Sequence, residues 1–268
     1  AIILIRQYIF YSKFTYCLKY CKPQRKPWGW EYKGATNIQE LHQILKDTMM
    51  VRRLKKQVLK DLPNKIRRVV PVGMKNPAEY SEAKTDFLKW LMKRKPSAVG
   101  SAARAEEMVK MGYLLRLAAK LKIRAVGAWI DRFLEETDEK LVVFGRHLGM
   151  INALHNHYEN SVVIHGGIGN RMRQCAVDQF QQDKKTRIFI GNSAALSGIT
   201  LTAASTVAFA EMFWRSADHI QGEDRVHRIG QDAHCWAYYL VARETIEEDL
   251  CEIIQEKQEV IRGVLDGE

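Results

Sequence analysis

Five short apolar segments in the second half of the chain constrain the fold more than any other feature. Stretches with helical periodicity lie between most of them. Segments that are apolar on both faces and alternate with helices are typical of a parallel sheet covered on both sides. We therefore predict an open α/β domain over residues 139–243, with ligands at the carboxyl ends of its strands. The segments are LVVF (141–144), SVVIH (161–165), RIFIG (187–191), TVAFA (206–210) and CWAYYLVA (235–242).

The remainder of the chain is predicted to be mainly helical. Residues 1–75 begin with an irregular aromatic stretch, and a helix starting after Asn37 is expected to continue through a basic stretch until Pro63 breaks it. Residues 76–138 have helical periodicity almost throughout and form a predicted helical protrusion. Residues 244–268 are acidic, and we expect an amphipathic helix packed against the α/β domain, with partner binding as the alternative.

The charge distribution points to a polyanionic partner. The 268 residues include 42 Lys and Arg against 31 Asp and Glu, a net charge of +11. Such a balance favours nucleic acid first and a membrane surface second, and simple solubility is the alternative. Residues 51–70 hold eight Lys or Arg against one Asp, which predicts a basic contact surface.

Other classes of site find little support in the sequence. Five cysteines are scattered, and no second Cys or His pair completes a zinc pattern beside Cys17 and Cys21, so we expect free thiols and no metal site. Arg6 interrupts the apolar start of the chain, and no segment is long and apolar enough to cross a membrane. We expect the chain to begin partway through a larger fold.

Small residues dominate the loop after the third predicted strand, GNSAALSGITLTAAS (191–205). Residues such as Gly198 let a backbone approach a ligand closely, and Thr200 and Thr202 could donate hydrogen bonds to a phosphate. A helix cap and turn packed tightly on the sheet is the alternative.

The segment HIQGEDRVHRIGQ (219–231) follows the fourth predicted strand, where a ligand-facing group is expected. If residues 217–228 are helical, Gln221, Arg225 and Arg228 share one face, and their donors form a fork suited to a phosphoryl group. Asp224 and His227 lie to the sides and could orient the arginines. The alternative is an exposed helix with surface ion pairs, each worth only ~0.5 kcal/mol.

Gln221 and residues 224–231 resemble motif VI of the Swi/Snf-type DNA translocases of helicase superfamily two. LVVF resembles their motif IV, GITLTAAS (198–205) resembles motif V, and residues 165–180 and 209–214 match neighbouring motifs. PWGWEYKG (27–34) and MMVRRLKKQVLKDLP (49–63) resemble the junction between the two motor lobes. The resemblance covers about residues 16–262 and is strongest to annealing helicases and to bacterial and phage relatives.

The resemblance implies a two-lobed motor that hydrolyses ATP and moves along double-stranded DNA. This chain would be its second, RecA-like lobe: a parallel sheet flanked by helices, with a mainly helical N-terminal junction and a helical protrusion. Arg225 and Arg228 occupy the positions of the arginines that reach the γ-phosphate, and Gln221 joins them in the catalytic set. The resemblance also assigns nucleotide binding or coupling to Gly198, Asp224, His227 and Gln231. It assigns DNA-backbone contacts to His165, Gly166, Arg173, Thr200, Thr202, Trp214, Arg52, Arg53, Lys55 and Lys56.

The first half of such an active site is missing from the sequence. No G-x-x-x-x-G-K segment followed by Ser or Thr occurs; Gly29 and Gly34 have the spacing, but Ala35 stands where Lys is needed. ATP and Mg²⁺ would therefore be bound mainly by a first lobe, and we expect no ATP hydrolysis by this chain alone.

Departures from the family pattern keep other functions open. Gly167, the sequence AALSG and the pair Arg215-Ser216 differ from the family's usual residues in loops that face DNA or couple the lobes. The main alternative is a non-catalytic DNA-binding or regulatory module with the same fold; an RNA-acting lobe is a further one. The resemblance to bacterial and phage members predicts a bacterial or phage origin and a location in the cytoplasm or nucleoid, or in the nucleus if the source is eukaryotic.

Overall fold

The computed structural model describes residues 10, 12–27, 29–32, 34–51, 53, 55–59, 61–87 and 107–266. They fall into two compact units, one of residues 1–60 with 255–268 and one of residues 61–254. Residues 88–106 of the predicted helical protrusion lie outside the described residues.

The smaller unit contains helices and one hairpin. Its elements are α1 (Lys13–Tyr20), β1 (Pro23–Lys26) paired antiparallel with β2 (Gly29–Tyr32), α2 (Ile38–Thr48) and α3 (Lys55–Val58). Phe10, Tyr20, Leu41 and Leu45 form its buried apolar cluster.

Helix α2 starts where the sequence predicts but is capped differently. Asn37 adopts a left-handed conformation (φ 51°), and its side-chain amide donates to the Lys19 carbonyl oxygen (2.8 Å) instead of capping the helix. The prediction that α2 continues to Pro63 is wrong, because Met49 leaves the helical region (φ −151°). The amides of Met49 and Met50 both donate to the Leu45 carbonyl oxygen and close the helix there.

The larger unit is built on six parallel strands in the spatial order β3-β8-β7-β4-β6-β5. Its elements are β3 (Lys65–Val72), α4 (Pro77–Thr85), α5 (Glu107–Glu136), β4 (Leu141–Phe144), α6 (Leu148–His157), β5 (Ser161–Ile164), α7 (Asn170–Gln182), β6 (Ile188–Gly191), a 3₁₀ turn (Ser193–Ala195), β7 (Thr206–Phe209), α8 (Ser216–Val226), β8 (Cys235–Ala242) and α9 (Ile246–Asp266), whose last residues belong to the smaller unit. The five predicted strands are confirmed as β4 to β8.

Both faces of the sheet are covered, as the apolar strand segments predict. On one face, Val142, Phe144 and Phe209 pack in a cluster that includes residues of α7, α8 and α9. On the other face, Leu141 and Val143 pack with residues of α5 and α6. Alternate residues of each strand therefore serve separate apolar cores.

The edge strand β3 was missed by the sequence analysis. It pairs in parallel with β8 along its whole length, from Lys65 opposite Cys235 to Val72 opposite Ala242. Its sequence, KIRRVVPV, belongs to the basic stretch and lacks the long apolar run of the central strands. A strand at a sheet edge is half exposed and tolerates both charges and proline, which explains why its pattern is weak.

Candidate functional site

The helix α8 carries the central residues of the predicted phosphate-binding fork. It begins after β7, at the carboxyl edge of the sheet, and runs back so that β8 can start parallel to β7. Its arginine-bearing end therefore lies beside the segments that precede β7 and β3, not at the carboxyl edge. The fact that the segment follows a strand in sequence therefore did not reveal which edge of the sheet the arginines occupy.

The helix is also shorter than the fork hypothesis assumed. It ends at Val226, so Gln221 and Arg225 lie within it, one turn apart, whereas Arg228 lies beyond its end. The premise that all three share one helical face is corrected accordingly. Their roles stay predictions.

Arg225 is engaged by the protein itself. Its guanidinium donates to the Gln221 carbonyl oxygen (3.1 Å) and to the Ile199 carbonyl oxygen (2.8 Å), and its own carbonyl accepts from the Leu201 amide (2.9 Å). Burial, and then the positive charge of Arg228, lowers the pKa of Arg225. Arg225 thus ties α8 to residues 199–201, the second half of the small-residue loop.

The guanidinium of Arg228, unlike that of Arg225, is accessible to a ligand. It is exposed, and within the described part of the chain its side chain makes no hydrogen bond or ion pair. Its amide donates to the Val226 carbonyl oxygen (3.2 Å), and its carbonyl accepts from the Gln231 amide (3.0 Å). Gly230 closes this turn with a positive φ of 92°, a conformation that glycine adopts without strain. The backbone of the turn is held while the guanidinium stays open to solvent.

Gln231 and His227 hold this turn against the rest of the domain. The buried side-chain amide of Gln231 donates to the carbonyl oxygens of Ala204 (2.8 Å), Thr202 (3.2 Å) and Val226 (3.2 Å). Nε2 of His227 donates to the Pro63 carbonyl oxygen (2.7 Å). Both side chains make structural contacts here, so their part in coupling would be indirect.

Glu223 is a buried charge at the centre of this helix that the sequence analysis did not single out. Its carboxylate accepts from Arg67 Nε (2.5 Å) and NH2 (2.7 Å), from Tyr239 Oη (2.6 Å) and from Lys65 Nζ (2.7 Å). Burial alone would raise its pKa, but the hydrogen bond from Arg67 and the charges of Lys65 and Arg67 lower it to about 2. Burial and the neighbouring carboxylate raise the pKa of Tyr239. Because β3 was not recognised in the sequence, nothing there indicated that Glu223 is a buried carboxylate paired with cations of that strand.

His165 and Gly166 follow β5 at the carboxyl edge of the sheet, and Arg173 lies on the helix that comes after them. Nδ1 of His165 accepts from the Gly167 amide (3.1 Å), and Gly166 is exposed between them. Arg173, on the first turn of α7, donates through NH2 to the Ala194 carbonyl oxygen (2.8 Å). Arg173 thus links α7 to the segment after β6, the strand that neighbours β5.

A second group at the same edge was mostly missed. The buried carboxylate of Glu211, which follows β7, accepts from the amides of Arg146 (2.8 Å) and His147 (2.9 Å) and from the His147 ring. Burial would raise the pKa of Glu211, but these hydrogen bonds and the charge of His147 lower it. The Arg146 guanidinium lies 4.9 Å from the ring centre of Trp214, a predicted DNA contact. Only Trp214 carried a signal, from the aromatic end of its strand segment.

Other predicted contacts are not brought to this edge. Thr202, which precedes β7, accepts a hydrogen bond from the Gln181 side chain (3.3 Å). Thr200, which follows Ile199 in the chain, is half-buried. Gly198 has a positive φ of 76°, which explains the need for glycine there. Asp224 lies 3.5 Å from Lys65 Nζ.

The basic residues of the junction belong to the smaller unit. Arg53 and Lys55 are exposed. Arg52 lies outside the described residues, and nothing of the Lys56 side chain is described. Among the described residues, no group of three or more His, Cys, Asp or Glu could hold a metal ion. None of the helices in that part of the chain is long and apolar enough to cross a membrane.

Comparisons with known proteins place the larger unit in a family. Residues 122–230 match the family model described as the helicase conserved C-terminal domain. The chain is 34% identical over 258 residues to the SWI/SNF-related matrix-associated actin-dependent regulator of chromatin subfamily A-like protein 1 of Xenopus tropicalis, covering 94% of this chain and 27% of that protein. It is 35% identical over 262 residues to the human DNA annealing helicase and endonuclease ZRANB3, covering 94% and 24%. The chain carries a Swi/Snf-type helicase C-terminal domain.

Solved structures agree with this assignment at the level of the fold. The Sulfolobus solfataricus SWI2/SNF2 ATPase core in complex with dsDNA has a TM-score of 0.56 at 21% identity, covering 85% of this chain and 52% of that one. The C-terminal part of the Fun30 ATPase domain has a TM-score of 0.52 at 16% identity, covering 72% and 90%. The parallel sheet with flanking helices is thus the RecA-like fold of a Swi/Snf-type helicase domain.

This Swi/Snf-type chain spans about a quarter of the length of these two relatives. These and further similar proteins come from frogs, mammals, a fly and a nematode. Those sources give no support to the predicted bacterial or phage origin.

Proposed function

We propose that this chain is the C-terminal motor lobe of an ATP-dependent translocase on double-stranded DNA. In this proposal ATP and Mg²⁺ are held mainly by a separate nucleotide-binding lobe, and this chain contributes guanidinium groups to the γ-phosphate. The observation that carries the proposal is the state of Arg228. It is an exposed guanidinium on a fixed turn, next to Arg225, in a Swi/Snf-type helicase domain.

The two arginines would have different tasks. Arg228 would stabilise charge that develops on the transferred phosphoryl group, because none of the described residues accepts a hydrogen bond from its guanidinium. Arg225 would hold residues 199–201 in place and add positive potential near the same group. Gln221, exposed one turn before Arg225, would complete the polar surface toward the nucleotide.

The carboxyl-edge loops would contact the DNA backbone. Arg146, Arg173 and His165 place basic or imidazole groups on one edge, and the chain's net charge of +11 favours binding of a polyanion. Phosphate contacts of this kind depend little on base sequence. Because relatives from animals are named as a chromatin regulator and a DNA annealing helicase, the proposed location is the nucleus.

The decisive experiment is Arg228→Ala in the two-lobe protein, measured as DNA-stimulated ATP hydrolysis. We expect turnover to fall by ~10³-fold or more, since loss of an arginine finger removes transition-state stabilisation. DNA affinity should stay nearly unchanged. Arg124→Ala removes an exposed arginine from α5 and is the matched control, with turnover close to that of the wild type.

ATP hydrolysis near the wild-type rate in Arg228→Ala would show that the finger assignment is wrong. If the unaltered two-lobe protein binds DNA but hydrolyses no ATP, the non-catalytic module would replace the motor as the function.

A further inference from the structure

The buried carboxylate of Glu223 joins the arginine-bearing helix to the edge strand. Glu223 is fully buried, and its partners lie on two strands: Arg67 and Lys65 on β3, and Tyr239 on β8. The fork of Arg67 is bidentate, with distances of 2.5 and 2.7 Å to the two carboxylate oxygens. Bidentate charge-assisted bonds fix orientation as well as distance.

The same end of α8 has further links to the start of β3. Asp224 lies 3.5 Å from Lys65 Nζ, and His227 donates to the Pro63 carbonyl oxygen at 2.7 Å. Residues 223, 224 and 227 therefore contact residues 63, 65 and 67, and Arg228 directly follows the last of these contacts. These contacts fix the position of the turn that carries Arg228 relative to β3.

Stability alone gives no reason for a charge at this position. Burying an ion costs several kcal/mol, and apolar groups of similar volume often replace buried ion pairs without loss of stability. What an apolar contact cannot supply is a fixed direction. The network instead fits a requirement for placing the helix end accurately.

We propose that Glu223 is a positioning residue, which sets the location of the Arg228 guanidinium by fixing the end of α8 to β3. The inference rests on the proposed function, because it needs Arg228 to act on the nucleotide. A small displacement of a catalytic group can cost up to ~10²-fold in rate. Loss of the network should therefore lower turnover while leaving the affinities for ATP and DNA nearly unchanged.

The test compares Glu223→Gln, Arg67→Met and their double variant in the two-lobe protein. Each is assayed for kcat and KM of ATP hydrolysis, DNA affinity and melting temperature. We expect both single variants to lose stability: Arg67→Met leaves the buried Glu223 carboxylate with only Lys65 as its cation, and Glu223→Gln leaves Arg67 without its carboxylate. The double variant should regain much of the melting temperature, yet its kcat should stay ~10- to 100-fold below wild type with KM unchanged.

Tyr239→Phe is a milder variant, and we expect it to fold because it removes only one hydroxyl group. It removes one hydrogen bond to Glu223 without leaving a charge unpaired, so we expect a fall in kcat of about threefold at an unchanged KM. The matched control is the double variant Lys122→Met/Glu247→Gln, which removes a more deeply buried ion pair between α5 and α9. That control should shift the melting temperature but leave kcat of the folded protein unaltered.

Two results would overturn the inference. One is a kcat that recovers together with the melting temperature in the Glu223→Gln/Arg67→Met double variant. The other is a wild-type kcat in Tyr239→Phe together with failure of the Glu223 and Arg67 variants to fold. Arg228→Ala, assayed alongside, separates the two levels: if it keeps full activity the proposed function fails, whereas if it alone is inactive only the positioning role fails.

Discussion

At the scale of single residues, identical side chains do different work according to what surrounds them. Arg225 and Arg228 stand three positions apart in one motif, yet the first is bonded to two backbone carbonyls and the second is exposed. The difference arises because α8 ends between them, at Val226. A guanidinium inside the last helical turn meets the neighbouring loop, whereas one beyond it does not.

Arg225→Ala should therefore loosen the loop as well as impair catalysis. Removing the guanidinium leaves the Ile199 carbonyl oxygen without this donor, so we expect faster hydrogen exchange at the Leu201 amide, which bonds to the backbone of residue 225. Hydrogen exchange measured by mass spectrometry on this chain alone tests the prediction. Arg228→Ala is the matched control and should leave exchange at Leu201 unchanged. Equal exchange in all three proteins would contradict the bracing role of Arg225.

The lowered pKa of Glu223 predicts a pH dependence of stability. Its folded-state pKa of about 2 lies below the ordinary value of 4.5, so the unfolded chain takes up the proton first as pH falls. The stabilisation is complete above the ordinary value and declines below it. From about pH 6 to about pH 3, the wild type should lose ~2 kcal/mol more of its unfolding free energy than Glu223→Gln does.

Urea unfolding of both proteins across this range measures the difference. Other carboxylates with lowered pKa values, such as Glu211 and Asp183, are common to both proteins and cancel in the comparison. Parallel pH profiles for the two proteins would show that Glu223 is not charged through these contacts.

At the scale of elements, polar contacts at defined points fasten the helices to the sheet. Lys122 of α5 is fully buried and donates to both oxygens of Glu247 in α9 (2.7 and 2.6 Å) and to the Leu240 carbonyl oxygen in β8 (2.7 Å). Glu247 also accepts from the Ala242 amide (2.9 Å). All three donors of the ammonium group are used, so this buried charge is fully satisfied.

Lys122→Met should destabilise the domain by ~3–5 kcal/mol, because it leaves the Glu247 carboxylate buried without its cation. Chemical unfolding followed by circular dichroism measures the change. Lys120→Met, two positions earlier and exposed on the same helix, is the control and should stay within ~0.5 kcal/mol of the wild type. A similar cost for both variants would mean that helix propensity, rather than the buried ion pair, is being measured.

At the scale of the whole molecule, the net charge of +11 favours binding of a polyanion such as nucleic acid. The chain should bind duplex DNA with little sequence preference, and its affinity should fall steeply with salt as bound counterions are released. Fluorescence anisotropy over a salt series gives the slope of log affinity against log salt, about −0.9 for each phosphate contact. Binding that is absent or independent of salt would contradict the basic-surface interpretation.

The double variant Arg53→Ala/Lys55→Ala locates part of that surface. If both exposed residues contact phosphates, the slope should become shallower by about 2 units. Lys184→Ala/Lys185→Ala removes two exposed lysines that precede β6 at the amino edge and should leave the slope unchanged. Equal effects of the two variants would mean that only net charge matters.

Much of the fold was available from local pattern. The five central strands are apolar on both faces, so their position and parallel pairing follow from burial alone, and β8 occurs over the predicted residues 235–242. The edge strand β3 was not available, because exposure on one side allows Arg67 and Arg68 to replace apolar residues. The end of α2 at Thr48 also escaped prediction, since its final turn is closed by backbone bonds that leave no mark in the side chains.

The sequence by itself determined the class of the domain and predicted the residues of its candidate site. The alternation of apolar strands and helices indicates a parallel sheet. The motif at residues 221–231 indicates the family that the comparisons confirm. Only the tertiary structure decided which arginine is free, which edge of the sheet it occupies and that Glu223 anchors its helix. Those outcomes depend on where α8 ends and on a contact between residues 67 and 223, which are distant in sequence. Local periodicity carries no information about such pairs, because they are set by how elements pack and not by the elements themselves.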